Sequence, residues 1–168
     1  YYEEVADRTN VGRLLNNLGG LNFLLGHPEQ AIEFLKDAFR VALDVGNDAE
    51  AAQAVGSLAQ VHLRIGEPVL AEEQARHALR LLDRREDYLA EIGMSELVLG
   101  RALMEQGWLD DADAAFQEAD STFEQFESIS HRAACWVAKG DLAARRGEDH
   151  TAALLYRRAA EVLQDVRF

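Results

Sequence analysis

The chain has 168 residues, 48% of them hydrophobic, with only 2 Pro and a net charge of −13 at neutral pH. That length makes one domain with enough apolar material for a core, and the charge argues against a grip on nucleic acid or an anionic membrane, since both need basic surface. One cysteine, Cys135, excludes an internal disulfide framework and fits a reducing compartment, and no apolar run approaches the roughly 18 residues of a membrane span. The expected location is cytoplasmic.

The first stretch, "YYEEVAD" (Tyr1 to Asp7), lies one period before "VALDVGN" (Val41 to Asn47). In that register residues 1–10 are the tail of a truncated preceding repeat, and a chain opening without Met reads as a piece of a longer protein. Leu14, Leu15, Leu18, Leu21, Leu24 and Leu25 then recur at helical spacing and predict a helix over 11–25. Gly26 closes it, because a left-handed residue commonly ends a helix. Pro28, which needs no N–H at a first helical position, opens the next helix over 28–46, with Ile32, Leu35, Phe39, Ala42 and Leu43 on its apolar face.

The same order repeats three times. Helices are predicted over 49–65 and 68–83, with Gly66 and Pro68 between them. Helices over 88–106 and 109–127 surround Gly107, and helices over 130–146 and 149–166 surround Gly147. In the last two units Asp110, Asp111, Glu148 and Asp149 replace proline and favour a helix start through the dipole. The joints "GNDAE" (46–50), "RREDY" (84–88) and "ESISH" (127–131) do not resemble flexible linkers. The units run about 11–48, 49–88, 89–128 and 129–168, so residues 11–168 form a single array.

The turn glycines Gly26, Gly66, Gly107 and Gly147 are 40, 41 and 40 residues apart. Each is followed by Ala at +5 (Ala31, Ala71, Ala112, Ala152) and at +12 (Ala38, Ala78, Ala119, Ala159), and preceded at −7 by Gly19, Ala59, Gly100 or Gly140. Residues seven apart share a helix face, so small residues are expected to meet small ones where the two helices of a hairpin cross. A lone hairpin cannot bury both its faces; stacked hairpins bury a continuous core.

This pattern resembles the tetratricopeptide repeat. The motif positions read Leu15, Leu18-Gly19, Gly26, Ala31, Leu35 and Ala38 in the first unit, and Val55, Leu58-Ala59, Gly66, Ala71, Ala75 and Ala78 in the second. They read Glu96, Leu99-Gly100, Gly107, Ala112, Phe116 and Ala119 in the third, and Trp136, Lys139-Gly140, Gly147, Ala152, Tyr156 and Ala159 in the fourth. Glu96 at a usually bulky site, Lys139 at the usual Leu, and a longer period depart from the pattern. The resemblance implies an all-α, right-handed superhelical solenoid of four hairpins, about eight antiparallel helices, that binds a protein or peptide and is not an enzyme. Long repeats with text such as "NNLGGLNFLLG" also resemble the sensory half of bacterial regulators, where a helix-turn-helix domain precedes the array. Arg outnumbers Lys 15 to 2, as is common in high-GC bacterial genes. A general assembly scaffold without a DNA-binding domain is the alternative.

No catalytic constellation stands out. The five histidines, His27, His62, His77, His131 and His150, do not pair at ligand spacing. "LDDAD" (109–113) lacks a calcium loop, Cys135 reads as a small buried hydrophobe, and "FEQFE" (123–127) reads as core aromatics. No metal or cofactor is expected. By the family's usual positions, the concave face is lined by Arg13, Asn16 and Phe23; Gln60, Leu63 and Arg64; Arg101 and Met104; and Arg145. The same transfer adds Gly20 and Leu24; Gln53 and Gly56; Met94, Leu97 and Glu105; and Ala134, Val137, Asp141 and Ala144. Arg64 and Arg101 are expected to hold an anionic group over the apolar floor of Phe23, Leu63 and Met104, unless acids such as Glu105 neutralise them. No DNA contact is expected of this chain. A homodimer through a terminal repeat is expected, because neither end shows a polar cap and the last helix carries Leu154, Leu155, Val162, Leu163 and Phe168.

Overall fold

A computed structural model describes residues 2–83 and 86–165, and the side chains of 7–83 and 87–164. Within them lie eight α-helices: α1 Tyr2–Leu24, α2 Pro28–Asp44, α3 Asp48–Arg64, α4 Pro68–Leu82, α5 Leu89–Glu105, α6 Leu109–Gln125, α7 Ile129–Arg145 and α8 Asp149–Asp165. One 3₁₀ turn, Glu86–Tyr88, leads into α5, and no strand occurs among the described residues.

The turns follow from local chemistry. At Gly26, Gly66, Gly107 and Gly147 the backbone is left-handed, with φ between 77° and 84°. The next residue's N–H reaches back over the turn, His27 N to Asn22 O at 2.9 Å and Trp108 N to Leu103 O at 3.0 Å. This satisfies carbonyls that the helix end would otherwise leave unpaired. Pro28 and Pro68 take first-turn positions, as the spacing predicts. Between units the left-handed residue is Gly46, Asp83 or Glu127.

The one joint that fails is the first. Residues 2–10 are not the end of a separate helix; they continue without a break into α1, which is 23 residues long. Ala6 stands where Gly46 would be one period later, and an L-residue enters the left-handed region only at a cost of about 1–2 kcal/mol. Asp83 and Glu127 accept that cost at the later joints, whereas at Ala6 the helix runs on.

Each helix packs on its sequence neighbours, and successive first helices of the hairpins also touch, α1 on α3, α3 on α5 and α5 on α7. The second helices have no comparable mutual contact, which puts the first helices on the inside of the curve. The repeating alanines are core: Ala31, Ala71 and Ala112 are fully buried. The crossings are not simply small on small, however. A Cβ built on Gly19 would lie 2.5 Å from Leu35 Cγ, one on Gly100 2.4 Å from Phe116 Cε1, and one on Gly140 2.5 Å from Tyr156 Cε1. The large side chain of the second helix fills the hole the glycine leaves. In the second unit the residue equivalent to Leu35 and Phe116 is the small Ala75, and it shares a buried cluster with Ala59, which stands where the other units have Gly.

Two other expectations shift. Phe123 is fully buried, but Phe126, the residue after α6, is 47% exposed. Of the apolar residues expected at the C-terminal end, Leu154 and Leu163 are exposed, and Phe168 lies outside the described residues. Glu96, at the usually bulky position, is buried and accepts a hydrogen bond from Thr122 Oγ1 at 2.8 Å.

Candidate functional site

The inner face carries two adjoining hollows. The larger, about 530 Å³, is lined by Phe23 of α1; Gln60, Leu63 and Arg64 of α3; Met94, Leu97, Val98, Arg101, Met104 and Glu105 of α5; and Asp141 of α7. The smaller, about 230 Å³, lies between α3 and α5 and shares Gln60 and Met94 with it. Gln53, Gly56 and Ser57 line one side, with Ala90, Glu91 and Ser95 opposite. Helix periodicity explains the lining: Gln53, Gly56, Gln60 and Leu63 fall on one face of α3, as do Met94, Leu97, Arg101 and Met104 on α5. Their offset by one period stacks the two faces side by side.

Six of the nine residues predicted for the groove therefore converge on one hollow: Phe23, Gln60, Leu63, Arg64, Arg101 and Met104. The other three do not line it. Arg13 turns to the start of α3, where its Nε donates to Glu50 at 2.6 Å. The Asn16 amide oxygen accepts from Ser57 Oγ at 3.4 Å. Arg145 donates to the Met104 carbonyl at 3.0 Å and pairs with Glu105. Val98, which the positional transfer did not include, is a buried part of the wall beside Leu97.

The charges settle around these contacts. Glu105 is held by Arg145, not by Arg64 or Arg101, and Asp141 Oδ1 accepts from the Tyr156 hydroxyl at 2.8 Å. Arg64 lies 5.6 Å above the Phe23 ring, a cation–π distance. Neither Arg64 nor Arg101 forms an ion pair among the described residues. Two guanidiniums and two carboxylates thus line the hollow, with Glu105 held by Arg145 from outside it, on a chain of net charge −13. Arg guanidinium offers a planar fork that matches a carboxylate or phosphate. Phe23, Leu63, Met94 and Met104 provide apolar and adaptable surface beside it.

Reactive chemistry is poorly served elsewhere. Burial pushes the Cys135 thiol up to about 12, with the Asp120 charge adding to it, so the sulfur is a neutral thiol at physiological pH. No group of three or more metal-ligating side chains occurs among the described residues. His62 Nδ1 lies 2.5 Å from Glu67 Oε2 across the turn between α3 and α4, and His131 stacks on Phe123 at 4.8 Å. Both act within the scaffold.

Residues 10–84 match the family described as Tetratricopeptide repeat. The fold is similar to that of BtubC (BKLC) from P. vanneervenii, with a TM-score of 0.76 at 17% identity over 94% of this chain. This chain spans 65% of that one. It is similar also to MamA, with a TM-score of 0.62 at 22% identity, covering 98% of this chain and 85% of MamA. No curated protein matches the sequence.

Proposed function

From a chain that carries a tetratricopeptide-repeat domain, a protein-interaction module, we propose a specific mode of capture: the inner groove holds a protein segment or peptide with an anionic group at Arg64 and Arg101. The observation that carries this reading is the pair of guanidiniums facing one 530 Å³ hollow with no ion-pair partner among the described residues. An unneutralised Arg pair over an apolar floor suits an acidic side chain or a C-terminal carboxylate flanked by a hydrophobic residue. In the whole protein, the array serves as the regulatory part of a bacterial transcriptional regulator in the cytoplasm. The support for that placement is the resemblance of its long repeats to such sensory arrays. DNA contact then belongs to another domain, since the net charge of −13 repels phosphate.

The test is peptide selection from a random display library against residues 1–168 and against Arg64→Glu/Arg101→Glu. Wild type should enrich sequences rich in Asp or Glu, or ending in a free carboxylate. The variant should lose them while keeping its helical circular dichroism and melting temperature. Enrichment of neutral or basic peptides, unchanged by the double reversal, would show that recognition is apolar or lies elsewhere. For the regulator reading, a full-length gene that lacks a helix-turn-helix segment favours the assembly scaffold instead.

A further inference from the structure

The pairing of α1 with α3 shows what the smaller hollow lacks. Arg13 and Gln53 stand thirteen residues before the turn glycines Gly26 and Gly66, and Asn16 and Gly56 stand ten before them. Glu50 and Glu91 stand sixteen before Gly66 and Gly107. Between α1 and α3 these positions satisfy one another. Arg13 Nε donates to Glu50 Oε1 at 2.6 Å, and Asn16 Oδ1 accepts from Ser57 Oγ at 3.4 Å. Between α3 and α5 the donor side is cut back. Gln53 carries no charge and Gly56 no side chain; a Cβ built on Gly56 would meet only Ser95 Oγ, at 3.7 Å. The acceptor remains as Glu91. The hollow of about 230 Å³ is the space this leaves, and Glu91 lines it together with Gln53, Ser57, Gln60 and Ser95.

The chain itself thus shows what this carboxylate position holds when a partner is supplied: a guanidinium from the groove side. Glu91 is half-buried, and its carboxylate has no ion-pair partner among the described residues. Its place in the first turn of α5 suits the helix dipole, but that role does not require the open space in front of it.

We propose that the smaller hollow is a cation subsite, which takes a lysine or arginine side chain of the captured segment where α1 supplies Arg13 to Glu50. This rests on the peptide reading of the larger hollow and extends it to a ligand with two charges. The helices set the spacing. Glu91 and Arg101 are ten residues apart on α5, about 15 Å along the axis. An extended segment covers that distance in four or five residues at about 3.3 Å each. The amides of Gln53 and Gln60 both donate and accept, which suits the unpaired N–H and C=O groups of an extended backbone. A base in the ligand also offsets the repulsion that a purely acidic segment meets from a chain of net charge −13.

The display selection, repeated on two single variants, tests this. Wild type should enrich Lys or Arg four or five residues from the selected acid or C-terminus. Gln53→Arg rebuilds the internal pair seen between α1 and α3, so it should lose the base and keep the acid. Glu91→Gln should do the same. Circular dichroism and melting check that each variant folds. In fluorescence titration of a selected peptide, replacing its base by Ala should weaken binding to wild type about two- to fivefold, the range of partly exposed ion pairs, and leave binding to Glu91→Gln unchanged. Acid enrichment without a base at that spacing overturns the cation subsite and leaves the arginine reading standing. So does a base that survives Glu91→Gln or Gln53→Arg. A wild type that shows no acid preference overturns both.

Discussion

Gly100→Ala should destabilise the protein in its native background and stabilise it once Phe116 is truncated. The added Cβ would lie 2.4 and 2.5 Å from Phe116 Cε1 and Cδ1, and 3.2 Å from the Ala112 carbonyl oxygen. Carbon pairs prefer about 3.5–4.0 Å, so the ring must retreat by more than about 1 Å. Phe116 is fully buried and has nowhere to go. Overpacking of this kind costs about 1–3 kcal/mol, and the fixed ring and backbone place this case near the upper end. Replacing a helical Gly by Ala returns about 1 kcal/mol. The net loss is about 2 kcal/mol, a fall in melting temperature of roughly 4–8 °C for a chain of this size. Phe116→Ala alone removes a buried ring and costs about 3–5 kcal/mol. In that background the clash is gone, and Gly100→Ala recreates the Ala59/Ala75 pairing of the second unit. It should then gain about 1 kcal/mol, giving a coupling of about 3 kcal/mol. Urea unfolding of the four proteins, with unchanged m, measures the cycle. If Gly100→Ala stabilises the native background, or costs the same in both, the ring does not occupy the glycine's hole and the packing argument fails.

The neighbouring glycine of the first unit gives the opposite expectation. Gly20 is helical and a Cβ there meets nothing within 4 Å, so Gly20→Ala should raise stability by about 0.5–1 kcal/mol in the same urea assay. Cys135 should resist a thiol-specific reagent at pH 8, since its thiol is buried and pushed up to about 12. The raised value keeps the sulfur protonated throughout the neutral range, so labelling should track unfolding, and immediate labelling of the folded protein would contradict the buried placement.

What the sequence determined is what short-range physics controls. The left-handed turns needed Gly26, Gly66, Gly107 and Gly147. The helix starts needed Pro28, Pro68 or an acid. The apolar spacing marked the inward face of most helices, though not of α1, where Leu14, Leu21, Leu24 and Leu25 are exposed. All of these are settled within five or six residues, and seven of the eight helices lie within about two residues of their expected bounds. Convergence of Gln60, Leu63, Arg64, Arg101 and Met104 was legible as well, because adjacent first helices repeat the same face.

The tertiary structure decided which arginines pair with an acid of the chain. Arg13 pairs with Glu50 and Arg145 with Glu105, 37 and 40 residues away, while Arg64 and Arg101 find no such acid among the described residues. Each outcome depends on how far the next hairpin is rotated and which side chain that rotation brings within about 3 Å, a requirement set by hydrogen-bond geometry. The same holds for Phe116 over Gly100 and Leu35 over Gly19. A spacing says that a small residue lies at a crossing; only the angle and depth of the crossing say whether an alanine or a ring fills it.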